Sequence, residues 1–234
     1  MAIAVILLTL IVLFWILGRA AGAVIDALKV LTERLCFNSG FVGVVVLGVA
    51  TSLPEIIVGL TAVATERPSL SLGNLLGASF VLFTLGFGLL AILHNQVSLK
   101  RLFSPLDLAL VSLVALLPLV LSLDRMLSRA DGIALIAAYL IYVGYLFVRK
   151  RNSEFPFCII RRDGTSKALL ALVLGAVGVL FAAHFIVRNS IELARLLDMP
   201  VFLIGLLLLG VGTNLPELSL ISRTRTHGAK ELVA

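Results

Sequence analysis

The chain has 234 residues, of which 60% are hydrophobic and only 14% charged. A water-soluble domain has nowhere to bury that much apolar surface, so the composition predicts an all-α integral membrane protein with little mass outside the bilayer. The net charge of +6 comes from lysines and arginines scattered between apolar runs. That pattern fits the positive-inside bias of membrane proteins and argues against a nucleic-acid partner.

Seven apolar segments follow in chain order, at about 2–33, 40–65, 70–93, 105–123, 132–148, 168–194 and 200–222. The first lacks a basic leader and a small-residue cleavage site, so it reads as a retained membrane helix whose second half, from Gly18, is amphipathic. Pro68, Pro105 and Pro200 stand at the starts of later spans, where a missing N–H costs nothing. Cys36 and Cys158 fall in connecting segments, with no CxxC and no neighbouring histidine cluster. Thirteen lysines and arginines lie on one set of alternating connections, including the stretch 149–167, and five on the other. The bias predicts a multi-pass inner-membrane protein with its N-terminus outside.

One polar phrase occurs twice inside these spans. Gly48-Val49-Ala50-Thr51-Ser52-Leu53-Pro54-Glu55 returns as Gly210-Val211-Gly212-Thr213-Asn214-Leu215-Pro216-Glu217, displaced by 162 residues. The same shift aligns spans one and two with spans six and seven. Five spans separate the copies, and five is odd, so the second copy must cross the membrane in the opposite sense. The expected organisation is a first five-helix repeat over 1–148, a cytoplasmic connection over 149–167, and a second repeat over 168–234 with two helices present. Under the shift Ala234 corresponds to Leu72, which predicts that a further C-terminal segment or a partner chain completes the second repeat.

A carboxylate near a helix centre costs on the order of 2.5–3.5 kcal/mol even on insertion scales, so Glu55 and Glu217 are functional candidates. Thr51 and Ser52 lie four and three residues before Glu55, which puts both hydroxyls on its side of a helix. Pro54 lacks an N–H and should leave the Ala50 carbonyl without its intrahelical partner. Thr213, Asn214 and the Gly212 carbonyl repeat the set around Glu217. Two such clusters, with water, approach the six to eight oxygens that a hard divalent cation takes. Each hydroxyl or proline alone is most simply a packing or kink residue; their duplication in register points to a cation site. Asn74, after Gly73 at the start of span three, could face that site or cap the helix. Asp107 reads as a helix N-terminal carboxylate, and His94 and His184 as residues near span ends. No HExxH, GxSxG, Cys/His pair or phosphate loop indicates an enzyme, and no cofactor is expected.

VATSLPEIIVGLTA (Val49 to Ala62), VGTNLPELSL (Val211 to Leu220) and SLGNLLGAS (Ser71 to Ser79) together resemble the cation/calcium exchanger superfamily, in particular the compact prokaryotic sodium/calcium exchangers. The resemblance implies ten helices in two inverted five-helix halves and Ca²⁺ extrusion coupled to Na⁺ entry. It implies that Glu55 and Glu217 coordinate Ca²⁺ and that Thr51, Ser52 and Thr213 supply Na⁺ and Ca²⁺ ligands. Where the family places a serine and an asparagine in the third helix, this chain has Ala78 and Leu82, and Asn214 replaces the second serine. Those departures leave two alternatives beside sodium/calcium exchange: an exchanger of another cation, such as a Ca²⁺/H⁺ type, and a non-transporting membrane scaffold.

Overall fold

The computed structural model describes residues 1–34, 48–94, 105–124, 126–150, 165–215 and 217–218, and every regular element among them is helical. Helix α1 spans Ala2–Arg34, α2 Leu53–Ala64, and α3 Pro68–Val81. A π-helical turn, Leu82–Gly86, carries α3 into α4, Phe87–His94. Helices α5 (Pro105–Leu121) and α6 (Arg129–Lys150) form a hairpin. Helix α7 is Thr165–Leu196. The second motif follows on a short broken rod: α8 (Val201–Ile204), a π-helical turn (Gly205–Leu209) and α9 (Gly210–Thr213).

Three described stretches are long and apolar enough to cross a bilayer unaided: Ala2–Leu31, Pro68–Leu93 and Ser166–Leu196. Shorter apolar helices are Leu53–Ala64, Leu108–Leu121 and Val201–Thr213. The protein is therefore an all-α membrane protein. Large apolar side chains such as Leu8, Val12, Leu60, Phe80, Leu113 and Leu174 lie exposed on its outer surface, as expected where the solvent is lipid.

Sequence signals set most helix ends. Pro68 and Pro105 open α3 and α5, and Pro200 precedes α8. Helix α6 starts in a capping box: Ser128 Oγ donates to Asp131 Oδ2 at 2.7 Å and accepts from the Asp131 N–H at 3.3 Å. The Ser128 hydroxyl, and its backbone N–H donating to the same oxygen at 2.7 Å, hold the exposed Asp131 carboxyl below its ordinary range. Helices α2 and α7 both end in Schellman turns, in which Arg67 N–H reaches the Ala62 carbonyl and Met199 N–H the Ala194 carbonyl, each at 2.9 Å. The residues that enter the left-handed region there are Glu66 and Asp198, at φ 59° and 51°.

The contacts fix the sense of each helix. Gly178 meets Ala20, and Gly175 meets Ala20 and Val24, so α1 and α7 run antiparallel. In this register Gly18 stands level with Leu180, its own equivalent under the 162-residue shift. Gly59 faces Ser71 and Glu55 faces Asn74, so α2 and α3 are antiparallel. Gly73 meets Phe202 and Gly205, and Gly77 meets Leu206 and Gly210, so α3 runs parallel to the second-motif rod. The first motif helix is thereby antiparallel to the second. The repeat is inverted. Its core gathers Leu10, Phe14 and Leu17 from α1, Val58 and Ala62 from α2, Leu70 from α3, and Ile186 and Leu193 from α7.

Candidate cation site

Both motifs break their helix at equivalent residues. Ser52 has φ −84° and ψ 2°, and Asn214 has φ −91° and ψ 3°, in the sparsely used bridge region. After each break the helix resumes with the same bond, Ile56 N–H to the Ser52 carbonyl and Leu218 N–H to the Asn214 carbonyl, both at 3.0 Å. The break falls two residues before Pro54, whose missing N–H cannot reach the Ala50 carbonyl. The side chains cap the same carbonyl in each copy. Thr51 Oγ1 donates to the Gly48 carbonyl at 3.0 Å, and Asn214 Nδ2 to the Gly210 carbonyl at 2.7 Å.

Between the two breaks lies a cavity of 250 Å³. Thr51, Ser52, Glu55, Asn214 and Glu217 line it together with Ser79, Ile56, Leu75, Ala78 and Leu82. Glu55 is only 8% exposed and lies within electrostatic reach of Glu217. Among the described residues, neither Glu55 oxygen has a hydrogen-bond partner, nor does Oε2 of Glu217, and no lysine, arginine or histidine stands on the cavity wall. A buried and a half-buried acidic group with unpaired oxygens are costly, and a cation would satisfy both. Ser52 caps nothing with its side chain, which leaves its hydroxyl for the cavity.

The structure thus gathers five of the six principal predicted residues around one space. Thr213 stands just behind the wall: it is fully buried, donates to the Leu209 carbonyl at 3.0 Å with a longer 3.4 Å contact to Asn74 Oδ1, and its side chain also interacts with the Glu55 carboxylate. Ala50 and Gly212 are also buried away from the cavity wall, and a side chain at 212 would collide with the Phe14 ring. Asn74 does not cap its helix, which begins at Pro68; it sits inside, between the two motifs. His184 is exposed, edge-on to the Phe185 ring. Cys36, Cys158, the side chains of Asp107 and His94, Pro216 and the core of the 149–167 connection lie outside the described residues.

Ser79 was missed by the sequence reading, as were the apolar walls Ile56 and Leu75. Leu75, Ala78, Ser79 and Leu82 follow one another at helical spacing. The resemblance puts Ala78 and Leu82 at ligand positions and so marks this face as the one toward Glu55, and Leu75 and Ser79 flank them on it. A larger cleft of 480 Å³ opens at loop level, lined by Arg67, Asp198 and Pro200 and by Arg195, which pairs with Glu192 at 2.9 Å. It contains no duplicated residue.

A family model for the sodium/calcium exchanger protein matches residues 5–148 and 167–233. The chain belongs to the sodium/calcium exchanger family. That family is one of transporters, not enzymes, and both motifs fall inside the matched residues. An uncharacterized membrane protein of Methanocaldococcus jannaschii is 31% identical over 208 residues, which cover 86% of this chain and 68% of that protein. The inner membrane protein YrbG of Escherichia coli is 29% identical, over 83% of this chain and 64% of its own length. CaxA of Alkalimonas amylolytica, named a candidate antiporter, is 24% identical over 92% and 68%. The exchanger-family chain therefore spans about two thirds of the length of these relatives. No solved structure matches it.

Proposed function

We propose that this chain carries the cation site of a secondary antiporter that exchanges Na⁺ for Ca²⁺ across the inner membrane, with its N-terminus outside. The observation that supports this most is the meeting of Glu55 and Glu217, from equivalent positions of an inverted repeat, at one cavity with their oxygens unpaired. Two carboxylates match the charge of one Ca²⁺. The hydroxyls of Thr51, Ser52 and Ser79 and the Asn214 carbonyl oxygen bring the ligand set into the range that Ca²⁺ takes. A space of 250 Å³ holds about eight waters at their liquid volume, so the ion keeps part of its hydration shell.

Thr213 contributes by facing the Glu55 carboxylate and by holding Asn74. The inversion of the two halves supports alternating access, in which each half opens the same site to one side. The lipid bilayer covers the apolar side chains exposed on the outer surface.

A Ca²⁺/H⁺ exchanger is the second reading. The apolar side groups of Ala78 and Leu82 on the cavity wall favour it, because they supply no oxygen for a separate Na⁺ site. ⁴⁵Ca²⁺ uptake into proteoliposomes loaded with Na⁺, or held at a pH gradient, separates the two. Glu55→Gln and Glu217→Gln should each abolish uptake while inserting normally, since each removes one of two charges opposing the ion. Undiminished uptake in both single variants refutes the paired-carboxylate site.

A further inference from the structure

We propose that Asn74 is a positioning residue that ties the first half-site to the second. The proposal rests on the cation-site reading above, and the tests below separate the two.

Asn74 is completely buried in the first two turns of α3. Its Nδ2 donates to the Glu55 backbone carbonyl at 3.4 Å, and its Oδ1 accepts from Thr213 Oγ1 at 3.4 Å. One carboxamide therefore touches the backbone of the first glutamate and the threonine of the second motif. The flanking glycines make this reach available. A Cβ at Gly73 would stand 2.9 Å from Leu206 N, and one at Gly77 2.8 Å from the Leu206 carbonyl carbon, so α3 and the second-motif rod meet backbone to backbone.

Other roles do not fit this geometry. Asn74 lies six residues into its helix, so it caps nothing. It does not line the cavity, and both ends of its amide already bond protein groups. A buried amide is tolerated in an apolar interior only when so engaged. The engagement sets Thr213, whose side chain also interacts with the Glu55 carboxylate, against the Glu55 backbone, so that one amide holds the two half-sites in register.

Two measurements test the proposal. The first needs no ion: Ser52→Cys and Asn214→Cys are joined across the cavity by a short bifunctional thiol reagent, in a Cys36→Ser, Cys158→Ser background. Asn74→Ala should lower the cross-linking rate about tenfold, the equilibrium equivalent of the one or two buried hydrogen bonds lost. The second is equilibrium binding of ⁴⁵Ca²⁺ to purified protein carrying the native residues at 52 and 214. Asn74→Ala and Thr213→Val should each weaken binding about tenfold, with no further loss in the double variant. Thr213→Ser, which keeps the donor, should bind like the parent. A lowered Tm with an unchanged cross-linking rate and Ca²⁺ affinity overturns the proposal, as does additive loss in the double variant. If Asn74→Ala fails to fold, the Thr213→Val and Thr213→Ser pair decides it on both measurements. If the parent binds no Ca²⁺, the cation-site reading fails while the cross-linking rate still decides the tie.

Discussion

Gly210 and Gly48 occupy the same place in the two repeats, yet alanine should have opposite effects there. A Cβ built on Gly210 stands 2.5 Å from the Gly77 carbonyl carbon and 2.9 Å from Ala78 N, whereas one on Gly48 has nothing within 4 Å among the described residues. The obstructing atoms at Gly210 are backbone, so no rotamer change relieves them. Ordinary carbon contact begins near 3.5 Å, so α3 and the second-motif rod must part by about 1 Å. Overpacking of this kind costs about 1–3 kcal/mol, and the better helix propensity of alanine returns up to about 1 kcal/mol. The expected net result is a loss of about 1–2 kcal/mol for Gly210→Ala and a change between zero and a gain of about 1 kcal/mol for Gly48→Ala. Glu217 lies two turns beyond Gly210 on the displaced rod, so cation affinity should fall with stability in the first variant alone. Thermal unfolding in detergent, followed by size-exclusion recovery and paired with ⁴⁵Ca²⁺ binding, measures both effects. Equal damage from the two substitutions, or none from Gly210→Ala, would refute the close approach of α3 to the second motif.

Replacing Ala78 with Ser and Leu82 with Asn puts two oxygens on the cavity wall, one turn apart on α3. If the Na⁺ reading is right, Na⁺ should compete more strongly with Ca²⁺ in the double variant; an unchanged Na⁺ response favours proton coupling. Sidedness follows from the charge bias. Cysteine reporters within 149–167 should react only from the cytoplasm and those at 126–128 only from outside, and the reverse pattern in impermeant-maleimide labelling would invert the orientation.

The sequence by itself determined the solvent of this protein, its helical class and the inversion of its repeat. Apolar content and span length settle the first two, and the odd offset of five spans between equivalent helices settles the third. The contacts of Gly175 with Val24 and of Gly77 with Leu206 then confirm the inversion. The sequence also named Thr51, Ser52, Glu55, Asn214 and Glu217, because polar groups duplicated in register inside apolar helices have few uses other than meeting.

Tertiary structure alone decided how the two motifs meet. Each helix break lies two positions before a motif proline, at Ser52 and at Asn214. Thr213 is buried against Asn74, a partner 139 positions away in the chain. Ser79 and Leu75 joined the wall because the glycines of α3 let the second motif approach from one side and so set that helix's rotation. Helical periodicity reveals a stripe but not its azimuth, and the azimuth is fixed by packing between segments that are distant in sequence.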